Sequence, residues 1–195
     1  QRGLTIESCR RWELGYDKGR GRLVFPIRRY DGKLVGLTGR ILPSAEKQAE
    51  AAGVKVSKYH NYVGLDKTKY LFGEHLLEHK KPIVLCEGQI DVILTFQQLG
   101  IHAVAPLGEG FSKTHVKTIS AFDPPVVYVF PDNDPPGRMG AEKFVYMLAE
   151  RVPLKLMLPP EGLDPGDLSE AEMRVALDRA VAIYRKINWS LFDSE

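Results

Sequence analysis

The stretch VVYVFPDNDPPGR, residues 126–138, reads as a buried strand that ends on polar residues and passes at once into a helix. Residues 126–130 form an apolar run of strand length, and Pro135-Pro136-Gly137 marks a turn and a helix start. Residues leaving a strand alternate sides, so Asp132 and Asp134 project the same way and can bind one cation jointly or bridge two. An Asx turn with Asp134 capping the helix explains one of these acids and leaves the other idle. Arg138, on the first helical turn, is placed either to face a phosphate or to pair with the acids.

Outward from this stretch the same pattern appears twice more. Residues 83–86 run into Glu87-Gly88 with Asp91 a turn later, and residues 154–158 run toward Asp164 and Asp167. Strands at 83–86, 103–107, 126–130 and 154–158 alternate with helices at 90–99, from Ser112 to about 121, at 137–151, and from the Ser169/Glu172 capping box to about 184. Such alternation predicts a mostly parallel sheet with right-handed crossovers, whose ligands collect outside the carboxyl ends of the strands. Carboxylates converging there resist ionising together unless a cation lies among them. Oxygen ligands without His or Cys suit Mg²⁺ or Mn²⁺, so the expected chemistry is metal-assisted phosphoryl or nucleotidyl transfer.

The net charge of +2 hides an asymmetry: residues 1–80 hold 16 Lys and Arg against 9 Asp and Glu, and residues 81–195 hold 11 against 16. A basic front half beside an acidic back half fits a polyanion held by one part and processed by the other. No signal peptide is present, and no apolar run approaches the roughly 20 residues that cross a bilayer. Cys9 and Cys86 form no Cys-x-x-Cys pair and read as small buried hydrophobes. Without a Gly-x-Ser-x-Gly elbow, Ser112 and His115 make no hydrolase triad, and His115 reads as a surface residue. Gly108-Glu109-Gly110 lacks the ending of a phosphate-cradling loop. The chain opens at Gln1 on a helical pattern and is expected to be a piece of something longer.

In the front half, Thr5 caps a short helix carrying Trp12, and residues 18–22 make a basic, glycine-rich link. Strands at 23–29 and 34–42 join around Asp31-Gly32 as a hairpin, with Pro26 pushing the first toward an edge or a bulge. Gly36 and Gly39 are expected to let another backbone or a nucleic acid come close. Residues 43–57 read as a loop or loose helix, and Tyr59 and Tyr62 serve either to stack a base or to fill the core.

Taken in order, Glu87 and Asp91, Asp132 and Asp134 with Gly137-Arg138, and Asp164-Pro165 resemble a Toprim domain, the catalytic fold shared by bacterial-type primases, topoisomerases and some nucleases. The front half narrows this. Residues 2–16, then Val24-Phe25-Pro26-Ile27-Arg28, Asp31-Gly32-Lys33, Gly39-Arg40-Ile41-Leu42, Lys58-Tyr59-His60-Asn61 and Leu71-Phe72-Gly73 resemble the polymerase domain of DnaG-type bacterial and phage primases. The resemblance implies an α/β fold: a small mixed α/β N-terminal subdomain over 1–80, a Toprim subdomain with a mostly parallel β-sheet flanked by helices over 81–168, and a C-terminal helix and tail over 169–195. It further implies synthesis of short RNA primers on single-stranded DNA by metal-dependent nucleotidyl transfer.

Carried over by motif, Glu87 is a metal ligand and catalytic acid, Asp132 and Asp134 hold the metal pair and act in catalysis, and Asp91 and Asp164 complete the ligand set. Arg40, Lys58 and Lys67 belong to a basic ridge for template and nucleotide phosphates, with Arg138 nearby. Implied partners are a single-stranded DNA template, ribonucleoside triphosphates, a replicative helicase and an upstream zinc-binding domain outside this chain, in the cytoplasm of a bacterial or phage-infected cell. A Toprim nuclease and a non-catalytic nucleic-acid-binding module are the alternatives. The sequence departs from the family pattern in a short link before Leu23, which suggests a phage or mobile-element version, in Asn133 where Gly is usual, in Gly166 inserted before Asp167, and in Glu109 where Thr is common.

Overall fold

The computed structural model describes residues 3–108 and 110–192, so Glu109 and the loop departure expected there lie outside the described residues. Two sheets organise the chain. The first follows helix α1 (Ile6–Arg11) and consists of β1 (Gly15–Asp17), β2 (Arg22–Arg28), β3 (Leu34–Ile41) and, past helix α2 (Pro43–Ala51), β4 (Tyr59–Asn61), antiparallel in sequential order. Thr5 caps α1 by accepting the Ser8 N–H at 3.1 Å. The β2–β3 hairpin turns where expected, with Asp31 paired to Arg29. Pro26 lies beyond Val24, the last β2 residue matched to β1, and the register shifts between Ile27 and Arg28, so both ways of accommodating a strand proline are used.

The second sheet is assembled from β5 (Ile83–Leu85), α3 (Gln89–Leu99), β6 (Ala103–Val104), α4 (Lys113–Ala121), β7 (Val127–Val129), α5 (Pro135–Leu148), β8 (Leu154–Leu156), α6 (Glu170–Asp178) and β9 (Val181–Ile183). Its order is β6-β5-β7-β8-β9, parallel except for β9. The chain steps from β5 outward to β6 and then back across to β7, which makes the gap between the tips of β5 and β7 a switch point. Open α/β sheets bind ligands at such points. Ile83, Val84 and Leu85 are all fully buried, as a strand covered on both faces requires.

Three expectations change. Residues 181–183 are not the end of the last helix. The Ser169 box does start α6, but it stops at Asp178, and Val181–Ile183 instead pair with β8 and cover an otherwise open sheet edge. The strands β1 and β4, three residues each, went unpredicted because so short a run carries no readable period. The space above Gly36 and Gly39 is filled from within: a β-carbon there would lie 2.8 Å from Leu65 and 3.2 Å from Tyr62.

One core joins the two sheets. Trp12 and Phe25 pack with Phe72, at ring separations of 4.9 and 5.7 Å, on the side of the second sheet that also carries Ile90, Ile93 and Leu94 of α3. Helices α4 and α5 cover the other face through Ile119, Phe144 and Leu148. Buried Glu74 accepts the backbone N–H of Leu71 at 2.8 Å and of Tyr30 at 3.1 Å, tying the hairpin to the segment before β5. Asn61 of β4 donates to the Leu107 carbonyl at 3.3 Å. The basic sheet is thereby anchored to the sheet that bears the acids. No described helix is long and apolar enough to cross a membrane.

Candidate metal centre and its basic rim

Five acids come from three strand-to-helix connections. Glu87 leaves β5, and Asp91 stands on the first turn of α3. Asp132 and Asp134 leave β7, and Asp164 follows β8 at the start of a short 3-10 turn, Pro165–Asp167. Helix α3 begins at Gly88, where a β-carbon would lie 2.5 Å from Asp91 Oδ2, so only glycine lets this carboxylate fold back over the turn.

Burial is the largest cause lifting Glu87 to about 7; the Asp132 backbone N–H opposes the rise, and the charges of Asp134, Asp91 and Asp164 add to it. Burial likewise lifts Asp132 to about 8, reinforced by Glu87, Asp91, Asp164 and Asp134. The five acids therefore share one electrostatic neighbourhood at the β5/β7 switch point. Glu87 Oε1 and Asp132 Oδ1 are buried and have no hydrogen-bond donor among the described residues. A buried acceptor without a donor is costly, and two of them beside further carboxylates suit a hard divalent cation. Among the described residues no three Asp, Glu, His or Cys side chains form a ready-made metal cage.

The acids differ in their other duties. Asp134 is exposed and caps α5, accepting the Gly137 N–H at 2.8 Å ahead of Pro135 and Pro136 in the first turn. Its cap role and its place among the acids coexist. Asp167 is exposed, accepts the Asp164 N–H at 3.3 Å, and is absent from the charges that lift Glu87 and Asp132. Gly137 makes room for Asp132: a β-carbon would fall 2.2 Å from the Asp132 carbonyl oxygen. Gly137→Ala should therefore cost about 1–3 kcal/mol as an overpacked contact and displace Asp132. Urea unfolding measures the first effect, and divalent-ion affinity, expected to weaken, measures the second.

The basic residues line the first sheet. Arg40 of β3 lies 5.6 Å from the Tyr59 ring and donates from Nη1 to its hydroxyl at 3.4 Å. That hydroxyl would lie 3.6 Å from a β-carbon at Gly88, so the Arg40–Tyr59 pair borders the turn between Glu87 and Asp91. Tyr59 is thus neither a free stacking platform nor core. Lys58 and Lys67 are exposed. Buried Arg22, read in the sequence as part of a basic link, opens β2 and donates to the carbonyls of Ser57, Lys58 and Gly39, fixing the segment that presents Lys58. The Lys67 segment is held by α4, where Ser112 Oγ donates to the Thr68 carbonyl at 2.6 Å. His115 proves fully buried rather than a surface residue: it closes the α4 capping box, its Nδ1 accepting the Ser112 N–H at 3.2 Å. A helix-borne imidazole with no apolar stripe of its own gives no warning of such burial.

Arg138, placed on the first turn of α5, has partners on both sides. Its Nε donates to Asn133 Oδ1 at 3.2 Å and its guanidinium stacks on Trp189 at 4.9 Å, while Trp189 Nε1 donates to Glu142 at 2.9 Å. The sequence offered no role for Trp189, whose partners Glu142 and Arg138 lie 47 and 51 positions away.

Strand tips carrying these acids at a switch point define a Toprim protein, and residues 84–169 match the family described as Toprim-like. The chain is 31% identical over 178 residues to DNA primase of Pseudomonas aeruginosa, covering 87% of this chain and 26% of that protein, and 34% identical over 152 residues to DNA primase of Helicobacter pylori, covering 75% and 26%. It therefore belongs to the DnaG-type primase family, spanning about a quarter of the length of the curated relatives it matches. Its fold is similar to the DnaG primase catalytic domain bound to single-stranded DNA, with a TM-score of 0.78, 21% identity, and coverage of 98% of this chain and 73% of that one. It is also similar to the Aquifex aeolicus primase structure comprising zinc-binding and RNA polymerase domains, with a TM-score of 0.77, 22% identity, and coverage of 93% and 54%.

Proposed function

We propose that the chain is the catalytic domain of a DNA primase, joining ribonucleotides on a single-stranded DNA template. One observation carries this reading: Glu87, Asp91, Asp132, Asp134 and Asp164 share a switch-point neighbourhood, with buried donorless oxygens on Glu87 and Asp132, beside the Arg40–Tyr59 pair. Residues 1–80 hold template and nucleotide, residues 81–168 carry the chemistry, and α6 and β9 follow, with β9 covering the edge of β8. The kinship with primases supports this division of labour.

Glu87, Asp132 and Asp134, completed by Asp91 and Asp164, are the residues that would hold divalent ions, Mg²⁺ or Mn²⁺. When bound, such ions lower the pKa of an attacking 3′-hydroxyl and stabilise charge on the α-phosphate and the departing pyrophosphate. Without an ion Glu87 is lifted to about 7 by burial and its neighbouring acids, so binding an ion there would release its proton. Arg40 presents a guanidinium held by Tyr59 at the edge of the acids, suited to an incoming phosphate. Lys58 and Lys67 attract the template backbone, so affinity falls steeply with salt. A replicative helicase and an upstream zinc-binding domain, as in the Aquifex aeolicus primase, are the expected partners of the longer protein.

The test is incubation with a single-stranded template, labelled ribonucleotides and Mg²⁺ or Mn²⁺. New oligoribonucleotides support the proposal. Cleaved template would replace it with a nuclease, and tight binding without either product would leave a non-catalytic module.

A further inference from the structure

Asn133 separates the two metal-facing acids of the β7–α5 turn, and each of its four polar atoms is engaged. Its backbone N–H donates to the Leu163 carbonyl at 3.1 Å, and its own carbonyl accepts the Gly162 N–H at 3.0 Å. Its Nδ2 donates to the Pro159 carbonyl at 2.8 Å, and its Oδ1 accepts from Arg138 at 3.2 Å. The side chain is 7% exposed. Three of these bonds reach one segment, the loop that leaves β8 after the Met157 N–H pairs with Val129 and carries Asp164 back toward Asp132. That loop has no regular structure between Leu156 and Pro165. Two of its residues are prolines, 159 and 160, which have no N–H to offer.

From these contacts we infer that Asn133 is a positioning residue for the metal centre: its side chain fixes the Pro159–Asp164 loop against the β7–α5 turn and so sets where the Asp164 carboxylate stands relative to Asp132. A residue without a side-chain amide keeps the two backbone bonds but leaves the Pro159 carbonyl and the Arg138 Nε without these partners, and the loop regains freedom at its proline end. The carboxylate of Asp164 then spends less time among the other acids, and the set must be gathered by the ion itself. Affinity for the ion falls, while the reaction at saturating ion changes little. This inference rests on the metal-centre reading above.

The experiment is a double-mutant cycle on Mn²⁺ affinity, read by electron paramagnetic resonance of the free ion, with Asn133→Ala, Asp164→Asn and the double variant, and Asp132→Asn as reference. Asn133→Ala is expected to weaken Mn²⁺ binding by roughly tenfold, a typical cost of losing an outer-shell contact. In the Asp164→Asn background the same change should have little further effect. In primer synthesis it should raise the Mn²⁺ concentration for half-maximal rate and leave the maximal rate within about twofold. A purely structural Asn133 would lower the melting temperature with Mn²⁺ affinity intact or with effects that add in the double variant, and either result overturns the inference. Loss of Mn²⁺ binding in Asp132→Asn without loss in Asn133→Ala also overturns it while sparing the metal centre. Unchanged binding in Asp132→Asn overturns both. Should Asn133→Ala melt below the assay temperature, Asn133→Gly removes the same two side-chain bonds and carries the cycle.

Discussion

Asp132→Ala is expected to reduce primer synthesis by at least about 100-fold, the scale seen when one electrostatic stabiliser of a transition state is removed, and at the same time to raise the melting temperature of the metal-free chain. The opposite signs are the point. Asp132 is half-buried, has an oxygen without a donor, and is lifted to about 8 by burial and by Glu87, Asp91, Asp164 and Asp134. Without a cation such a group destabilises the fold, so its removal relieves the remaining four acids. A structural Asp132 would behave otherwise, losing stability with the carboxylate. Thermal melts in EDTA beside the synthesis assay distinguish the two. A fall in melting temperature with activity retained would refute the placement of this acid at the reaction centre.

Between pH 5 and pH 8, wild type without metal should lose stability relative to Asp132→Asn. The folded chain holds Asp132 at about 8 and Glu87 at about 7, against ordinary values of 3.8 and 4.5. A folded pKa above the unfolded one means that the native state keeps protons the unfolded chain has released. Stability from these groups is complete below about pH 4 and is lost as pH rises toward 8. Partly buried His75 and buried His115, both lowered by desolvation, act in the opposite sense below their ordinary 6.5. They are common to both proteins and cancel in the difference. Asp17 and Asp31, lowered by hydrogen bonds from Tyr62 and Arg29 respectively, stabilise the fold fully across this range and lose that contribution only below about pH 4. Mg²⁺ or Mn²⁺ at 100 times its dissociation constant should restore about 2.7 kcal/mol, worth roughly 5–11 °C for a chain of this size. The gain should be larger at pH 8 than at pH 5.5, because ions compete with protons for the same carboxylates. Equal melting curves across this range, with no response to either ion, would remove the electrostatic basis of the proposed centre.

Much of the second sheet was legible because its strands are contiguous apolar runs and three of its helices, α4, α5 and α6, carry side-chain caps. Ser112 and Ser169 start α4 and α6 where their spacing says, whereas α5 starts at Pro135, two residues earlier than the sequence suggested, on a cap from Asp134. The first sheet was legible only at its hairpin. Its outer strands β1 and β4 take their conformation from the hydrogen bonds of β2 and β3, which no local pattern announces. For the same reason β9 was read as helix: α6 ends at Asp178 and the next residues gain more by pairing with the open edge of β8.

Among the candidate residues, the sequence by itself determined the acids, since a carboxylate at the end of an apolar run must leave the strand on the side where ligands collect. It also pointed to hard-cation chemistry, because the chain carries carboxylates at all three of these strand ends. Only the tertiary structure decided which acids meet and what holds them. It placed Arg138 against Asn133 and Trp189, brought the Arg40–Tyr59 pair to the edge of Gly88, and made Asn133 the bridge to the Asp164 loop. Those contacts join positions 19 to 51 residues apart or depend on which way a turn folds, and chain periodicity records the direction of a side chain within its own element, not the partner that a different element brings to it.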